Sequence, residues 1–209
     1  MLGNETRTIK FTASLENLGR VPKWFDDNRP APFIELTDLE FAPAHGRIEI
    51  IKVLLKTGSD VNAKNHLWKS TPLMAAASNG HAEIVQFLID YGADLEAESS
   101  VGRTCLFTAV EFRYKKVVKI LLDSGAYVNA ADFWGVTPLM CAVIANSIEI
   151  VKILLVAGAD VKVTDKNGNT ALEYVRYKRY SIPLLGDFYT NQRNKEMIQL
   201  LEEAKLKAA

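Results

Sequence analysis

A beat of 33 residues runs through most of this chain. Thr71-Pro72-Leu73-Met74, Thr104-Cys105-Leu106-Phe107, Thr137-Pro138-Leu139-Met140 and Thr170-Ala171-Leu172-Glu173 recur at that step. Two glycine series keep it as well: Gly92, Gly125 and Gly158, and Gly102, Gly135 and Gly168. Towards the N-terminus the step is 34, from Gly46 to Gly80 and from Gly58 to Gly92. A period of this length is one supersecondary unit, too small to bury its apolar face alone, so successive units must stack and share a core.

Within a unit the pattern predicts two short helices and an excursion. Thr71 is placed to cap a helix whose first position is Pro72, where a missing N–H costs nothing and the ring already fixes a helical φ. Ala75, Ala76 and Ala77 are small enough to let a neighbouring helix come close. A second helix is predicted from Ala82 to Tyr91, with Ile84, Phe87 and Leu88 on one face, and Gly92 ends it as the left-handed residue. Ala93-Asp94-Leu95 and a polar stretch to Gly102 then form a hairpin-like excursion before the next threonine.

Thr71-Pro72-Leu73, Gly80-His81, Glu83-Ile84-Val85 and Tyr91-Gly92-Ala93-Asp94 together resemble the ankyrin repeat. Residues 137–165 match nearly as well, through Glu149-Ile150-Val151-Lys152-Ile153-Leu154-Leu155 and Ala157-Gly158-Ala159-Asp160-Val161. The resemblance implies an all-α solenoid of about five repeats counting caps, each a pair of antiparallel helices joined to the next by a β-hairpin-like loop. Residues 37–180 carry the repeats, and residues 1–36 are expected to form an N-terminal capping segment, with Gly19-Arg20-Val21-Pro22-Lys23-Trp24-Phe25 as a degenerate second helix. Pro43, mid-helix in the first clear unit, predicts a bent or shortened helix there. Glu196-Met197-Ile198-Gln199-Leu200-Leu201 matches Glu83-Ile84-Val85-Gln86-Phe87-Leu88 but lies 26 residues after its threonine rather than 12. An insertion loop over 181–192 is therefore expected to split the last repeat, with a capping helix over 193–209 whose charged outer face suits the end of a stack.

Composition and motif spacing narrow the function classes. The chain has 209 residues, 48% apolar and 24% charged, the balance of an ordinary globular protein. Its 25 basic and 25 acidic side chains cancel, so no global positive field draws nucleic acid or an anionic membrane surface. No apolar run is long enough to span a bilayer, and the first residues lack a signal peptide's apolar core, which points to a cytoplasmic protein, or to an exported or periplasmic one if a leader was removed. Cys105 and Cys141 make no disulfide framework and read as small buried residues. His45, His66 and His81 share no metal-ligand spacing, and His81 is expected to hydrogen-bond locally. Asp165-Lys166-Asn167-Gly168-Asn169 begins like a calcium loop, but Thr170 stands at the sixth position and Arg176 at the twelfth, so it reads as an inter-repeat turn. With no phosphate loop, nucleophile elbow or paired carboxylates, the expectation is a non-enzyme without metal or cofactor. A primed His or Cys in a deep pocket would bring back an enzyme reading.

Positions that define the fold repeat, whereas positions that recognise a partner vary. Subtracting the shared pattern leaves Leu67, Trp68, Arg103, Phe133 and Trp134 at the loop tips and Glu111, Phe112, Ile144, Tyr177 and Lys178 at the ends of the first helices. The resemblance places these on one curved surface, where Trp68, Phe112, Phe133, Trp134, Ile144 and Tyr177 would form an apolar, aromatic stripe. Bulky rings facing water mark a surface that something else covers. Phe188 and Tyr189, in the insertion, offer a second surface or a cover for the end of the stack. The expected function is a monomeric, non-catalytic module that binds a folded protein, an enzyme among the candidates. The alternative is a stoichiometric inhibitor or immunity protein blocking a partner enzyme's active site.

Overall fold

The computed structural model describes residues 38–178 and 187–207, and for Asp38, Glu40, Phe41, Tyr177, Lys178, residues 187–191 and Arg193 the backbone alone. The N-terminal capping segment expected over 1–36 lies outside the described residues.

Five helix pairs follow one another: α1 (Asp38–Ala44) with α2 (Ile48–Lys56), α3 (Pro72–Ser78) with α4 (Ala82–Asp90), α5 (Cys105–Glu111) with α6 (Lys115–Asp123), α7 (Pro138–Ile144) with α8 (Ile148–Val156), and α9 (Ala171–Lys178) with α10 (Asp187–Lys207). There are no strands among the described residues. Most of these helices have only seven or nine residues, too few to persist alone, so packing between units must hold them. Their ends are chemically specified. The hydroxyls of Thr71, Thr104 and Thr137 accept the N–H groups of Met74, Phe107 and Met140 at 3.3–3.4 Å, which satisfies a donor the helix start leaves open. In the last unit the Glu173 carboxylate accepts from both the N–H and the hydroxyl of Thr170. Gly92 lies at φ 96°, and the next N–H, Ala93, closes the helix on Leu88 O at 2.9 Å.

The first helices pack in series, α1 on α3, α5, α7 and α9, and the second helices form a parallel row from α4 through α6 and α8 to α10. Between the rows the same positions repeat as core. Ala76, Ala109 and Ala142 are wholly buried, and so are Val85, Val118 and Val151 and the leucine ladder Leu88, Leu121 and Leu154. Only a small side chain fits where two first helices meet, which is why alanine recurs at that step.

Three local expectations are corrected. Pro43 falls in the last turn of α1, and α1 keeps seven residues, the length of α3, α5 and α7, so the helix is not shortened. His81 does not bond locally: its Nε2–H donates to the carbonyl of Ala44 in the preceding unit at 3.0 Å. The imidazole reaches across because Gly46, whose Cβ would stand 3.1 Å from Cε1, leaves room for it. Finally, α10 begins at Asp187, inside the segment read as a loop over 181–192. Pro183 and Gly186 are the last helix-breaking residues before it, and an acidic residue suits a helix start. Met197 and Leu201, at the ladder positions of Ile84 and Leu88, are buried, while Lys195, Glu202, Glu203, Lys205 and Lys207 are exposed.

Candidate interaction surface

Each loop tip is built around one short polar side chain. Asn65 Oδ1 accepts the N–H groups of Trp68 and Ser70 at 2.9 and 3.1 Å, Asp132 Oδ1 those of Trp134 and Val136 at 2.9 and 3.0 Å, and Asp165 Oδ1 those of Asn167 and Asn169 at 2.9 and 2.8 Å. Ser99 Oγ plays the same part for Arg103 at 3.1 Å. This folds the tip tightly enough that its central residues point away from the stack. Neighbouring tips are then tied by single backbone bonds: Ser100 N–H to Trp68 O at 2.7 Å, Phe133 N–H to Val101 O at 3.1 Å, and Lys166 N–H to Trp134 O at 2.9 Å. The tips form a bonded row, so the side chains they carry are held in register before any partner arrives.

Asp165 is the most elaborate of these anchors. Its other carboxylate oxygen accepts from Tyr174 Oη at 2.6 Å and Asn169 Nδ2 at 3.3 Å. Burial pushes the carboxyl up, but the hydrogen bonds from Tyr174, Asn169 and Asn167 outweigh it and hold the pKa at about 2. Both oxygens are engaged within the protein, in accord with an inter-repeat turn rather than a calcium ligand.

Six bulky apolar side chains stand out on this surface. Leu67, Trp68, Phe112, Phe133, Trp134 and Ile144 are exposed to between 41% at Ile144 and 78% at Leu67. Phe133 is partly seated: a Cβ on Gly102 of the preceding tip would lie 2.3 Å from its ring, so one side rests on that glycine. The first tip differs from the others. Lys69 occupies the place that Gly102, Gly135 and Gly168 hold in the other tips and takes their left-handed conformation, at φ 51°. Asn65 precedes Ser99 by 34 residues whereas Lys69 precedes Gly102 by 33, so this tip carries one extra residue beside Trp68.

Arg103 and Glu111 face each other rather than standing apart. Arg103 Nη1 lies 2.8 Å from Glu111 Oε1, its Nε lies 3.5 Å from the buried carboxylate of Asp132, and its guanidinium stacks on the Phe107 ring at 4.6 Å. The side chains of Tyr177, Lys178, Phe188 and Tyr189 lie outside the described residues. Between the first tips and the ends of α3 and α5 runs an open groove of about 510 Å³, with Trp68, Val101, Met74, Ser78, Glu111 and Phe112 among its walls. Both candidate rings of this region, Trp68 and Phe112, therefore share one depression.

The tip row, the small-residue helix contacts and the 33-residue step meet in one comparison. Residues 39–132 match a family model described as ankyrin repeats in three copies, and residues 121–175 match one described as ankyrin repeats in many copies. The chain belongs to the ankyrin repeat family. Ankyrin repeats generally mediate protein–protein interactions and are typically non-catalytic. A search of curated proteins finds no match.

The groups that invited chemistry in this ankyrin chain are closed off. Cys105 and Cys141 are free and buried. Burial pushes both thiols up to about 12, the charge of Glu96 adding to it at Cys105 and that of Glu111 at Cys141. A thiol so disfavoured as thiolate is a poor nucleophile. Among the described residues no group of three or more His, Cys, Asp or Glu is placed to hold a metal ion, and no helix is long and apolar enough to cross a membrane. Val101, which varies from tip to tip, was legible as a candidate surface residue; sequence reasoning missed Met74 as a groove residue because Met74, Phe107 and Met140 hold a position that also repeats as fold. The one available signal was the first tip's extra residue.

Proposed function

We propose that this protein is a stoichiometric docking module that holds a folded protein partner against its tip row and the exposed ends of its first helices. The observation that carries the reading is the exposure of Leu67, Trp68, Phe133 and Trp134 on the tip row that backbone bonds keep in register, and of Phe112 and Ile144 at the ends of the first helices, while the fold-defining positions are buried. A preorganised surface loses little conformational entropy on association, and clustered aromatic anchors are the residues that dominate interfaces. The isolated groups Cys105 and Cys141, deep in the core, take no part.

Hydrogen-exchange footprinting of the chain with and without a bound partner tests this reading. Protection is expected at residues 66–70, 99–103 and 132–136 and at the ends of α3, α5 and α7. Protection confined to α4, α6 and α8 would move the interface to the opposite face. The adaptor and inhibitor roles diverge in one further assay: turnover of a co-purified enzyme partner stays constant with an adaptor and falls in proportion to added protein with an inhibitor.

A further inference from the structure

The groove at the first two tips carries a charge imbalance. Arg103 is a single cation facing two carboxylates, Glu111 at 2.8 Å and Asp132 at 3.5 Å, so the cluster keeps one uncompensated negative charge. Asp132 is buried and two of its partners are backbone N–H groups of its own tip, whereas Glu111 opens on the groove. Arg103 bonds one oxygen of Glu111, Oε1, and leaves Oε2 without a partner among the described residues. Glu111 is also the one ionisable side chain among the described residues that line this groove. Beside it Phe112, the next residue, is more than half exposed, and Trp68 forms part of the wall. An oxygen acceptor with a net negative field, in a groove that two aromatic side chains help to wall, matches a flexible apolar stem that ends in a cation.

We propose that the groove is the seat for a basic side chain, lysine or arginine, of the partner's docking segment, with its cationic head on Glu111 Oε2 and its stem against Phe112 and Trp68. The proposal rests on the docking reading above and adds the chemistry of what is docked. Arg103 then has a positioning role: by holding Oε1 it fixes the Glu111 carboxylate with its second oxygen towards the groove. The hydroxyl-rich remainder of the wall, Ser78 and Thr108 among it, suits the polar backbone of an extended segment.

Selection of a displayed random peptide library on the full 209-residue chain tests it. The expected result is a pool enriched in one lysine or arginine at a fixed place. Synthetic peptides from that pool should bind about tenfold or more weakly to Glu111→Gln, whose amide retains an oxygen for Arg103, and weakly also when the basic residue is replaced by citrulline or norleucine. Their affinity for the unaltered chain should fall as salt is raised. Matching melting temperatures of the variant and the unaltered chain show that the fold is intact. Peptides that lose affinity with Trp68→Ala but show no basic preference, or are indifferent to Glu111→Gln, overturn this inference and leave the docking reading standing. A selection that yields no peptide, or only peptides indifferent to Trp68→Ala and Phe112→Ala, also overturns this inference, while the docking reading itself falls only if the exchange footprint of a bound partner lies on α4, α6 and α8.

Discussion

Replacing Leu121 by alanine should show how strongly the units depend on each other. The side chain is wholly buried in α6, midway along the leucine ladder and between α4 and α8. Removing three carbons forfeits roughly 0.8 kcal/mol apiece in transfer free energy, about 2.4 kcal/mol. The void they leave adds to this, because close-packed neighbours relax only in part, and the total should reach about 3–4 kcal/mol. In a stack each unit touches only its neighbours, so a defect at this central position weakens the contacts on both sides at once. Equilibrium urea unfolding followed by far-ultraviolet circular dichroism measures the loss as a fall in midpoint. A loss below about 1 kcal/mol would refute the reasoning, because it would place Leu121 outside a tightly packed inter-unit core.

Three further outcomes follow from the same structure. The Asp165 pKa is depressed in the folded chain to about 2 against an unfolded value near 4, so its stabilising contribution is complete above about pH 4 and is lost as pH falls towards about 2. The stability gap between the unaltered protein and Asp165→Asn, measured by denaturant titration across that window, should narrow as pH falls; a constant gap would contradict the assignment. Gly80→Ala should cost roughly 1–3 kcal/mol, because φ is +74° and the new Cβ would stand 2.4 Å from the Tyr114 ring, and an unchanged melting temperature would count against that close approach. Cys105 and Cys141 should resist a thiol-specific reagent at mildly alkaline pH and both react once denaturant is added; rapid labelling of either in the folded protein would contradict a place in the core.

What could be read from the residues was what the repeat specifies locally. The threonine caps, the glycine stops and the alternation of small and branched apolar positions each follow from contacts within a unit or from its register with the next, and the helix pairs appear where the beat puts them. The single anchoring side chain in each tip was less visible, since three residue types, Asn65, Ser99 and the pair Asp132 and Asp165, do the same hydrogen bonding. Polar pairs that cross units once, rather than at every step, escaped. His81 bonds to a carbonyl 37 positions back and Arg103 to a carboxylate 29 positions ahead, and no periodicity announces a pair that occurs once. The candidate surface was legible as a set of positions that break the repeat. Its grouping was not: Trp68 and Phe112 meet in one groove, Phe133 leans on Gly102, and Glu111 is half occupied by Arg103, because these arrangements depend on how adjacent tips are offset.

The central claim is that the exposed rings are there for a second protein to cover. Its most direct test is the affinity of the double variant Trp68→Ala, Trp134→Ala for a partner recovered with the unaltered chain, measured by calorimetric titration beside the melting temperature. Each ring is more than half exposed in the free chain, so melting should hardly move, while two lost anchors at about 2 kcal/mol apiece should weaken binding by roughly a thousandfold. Undiminished affinity, or a variant that no longer folds, would contradict the account.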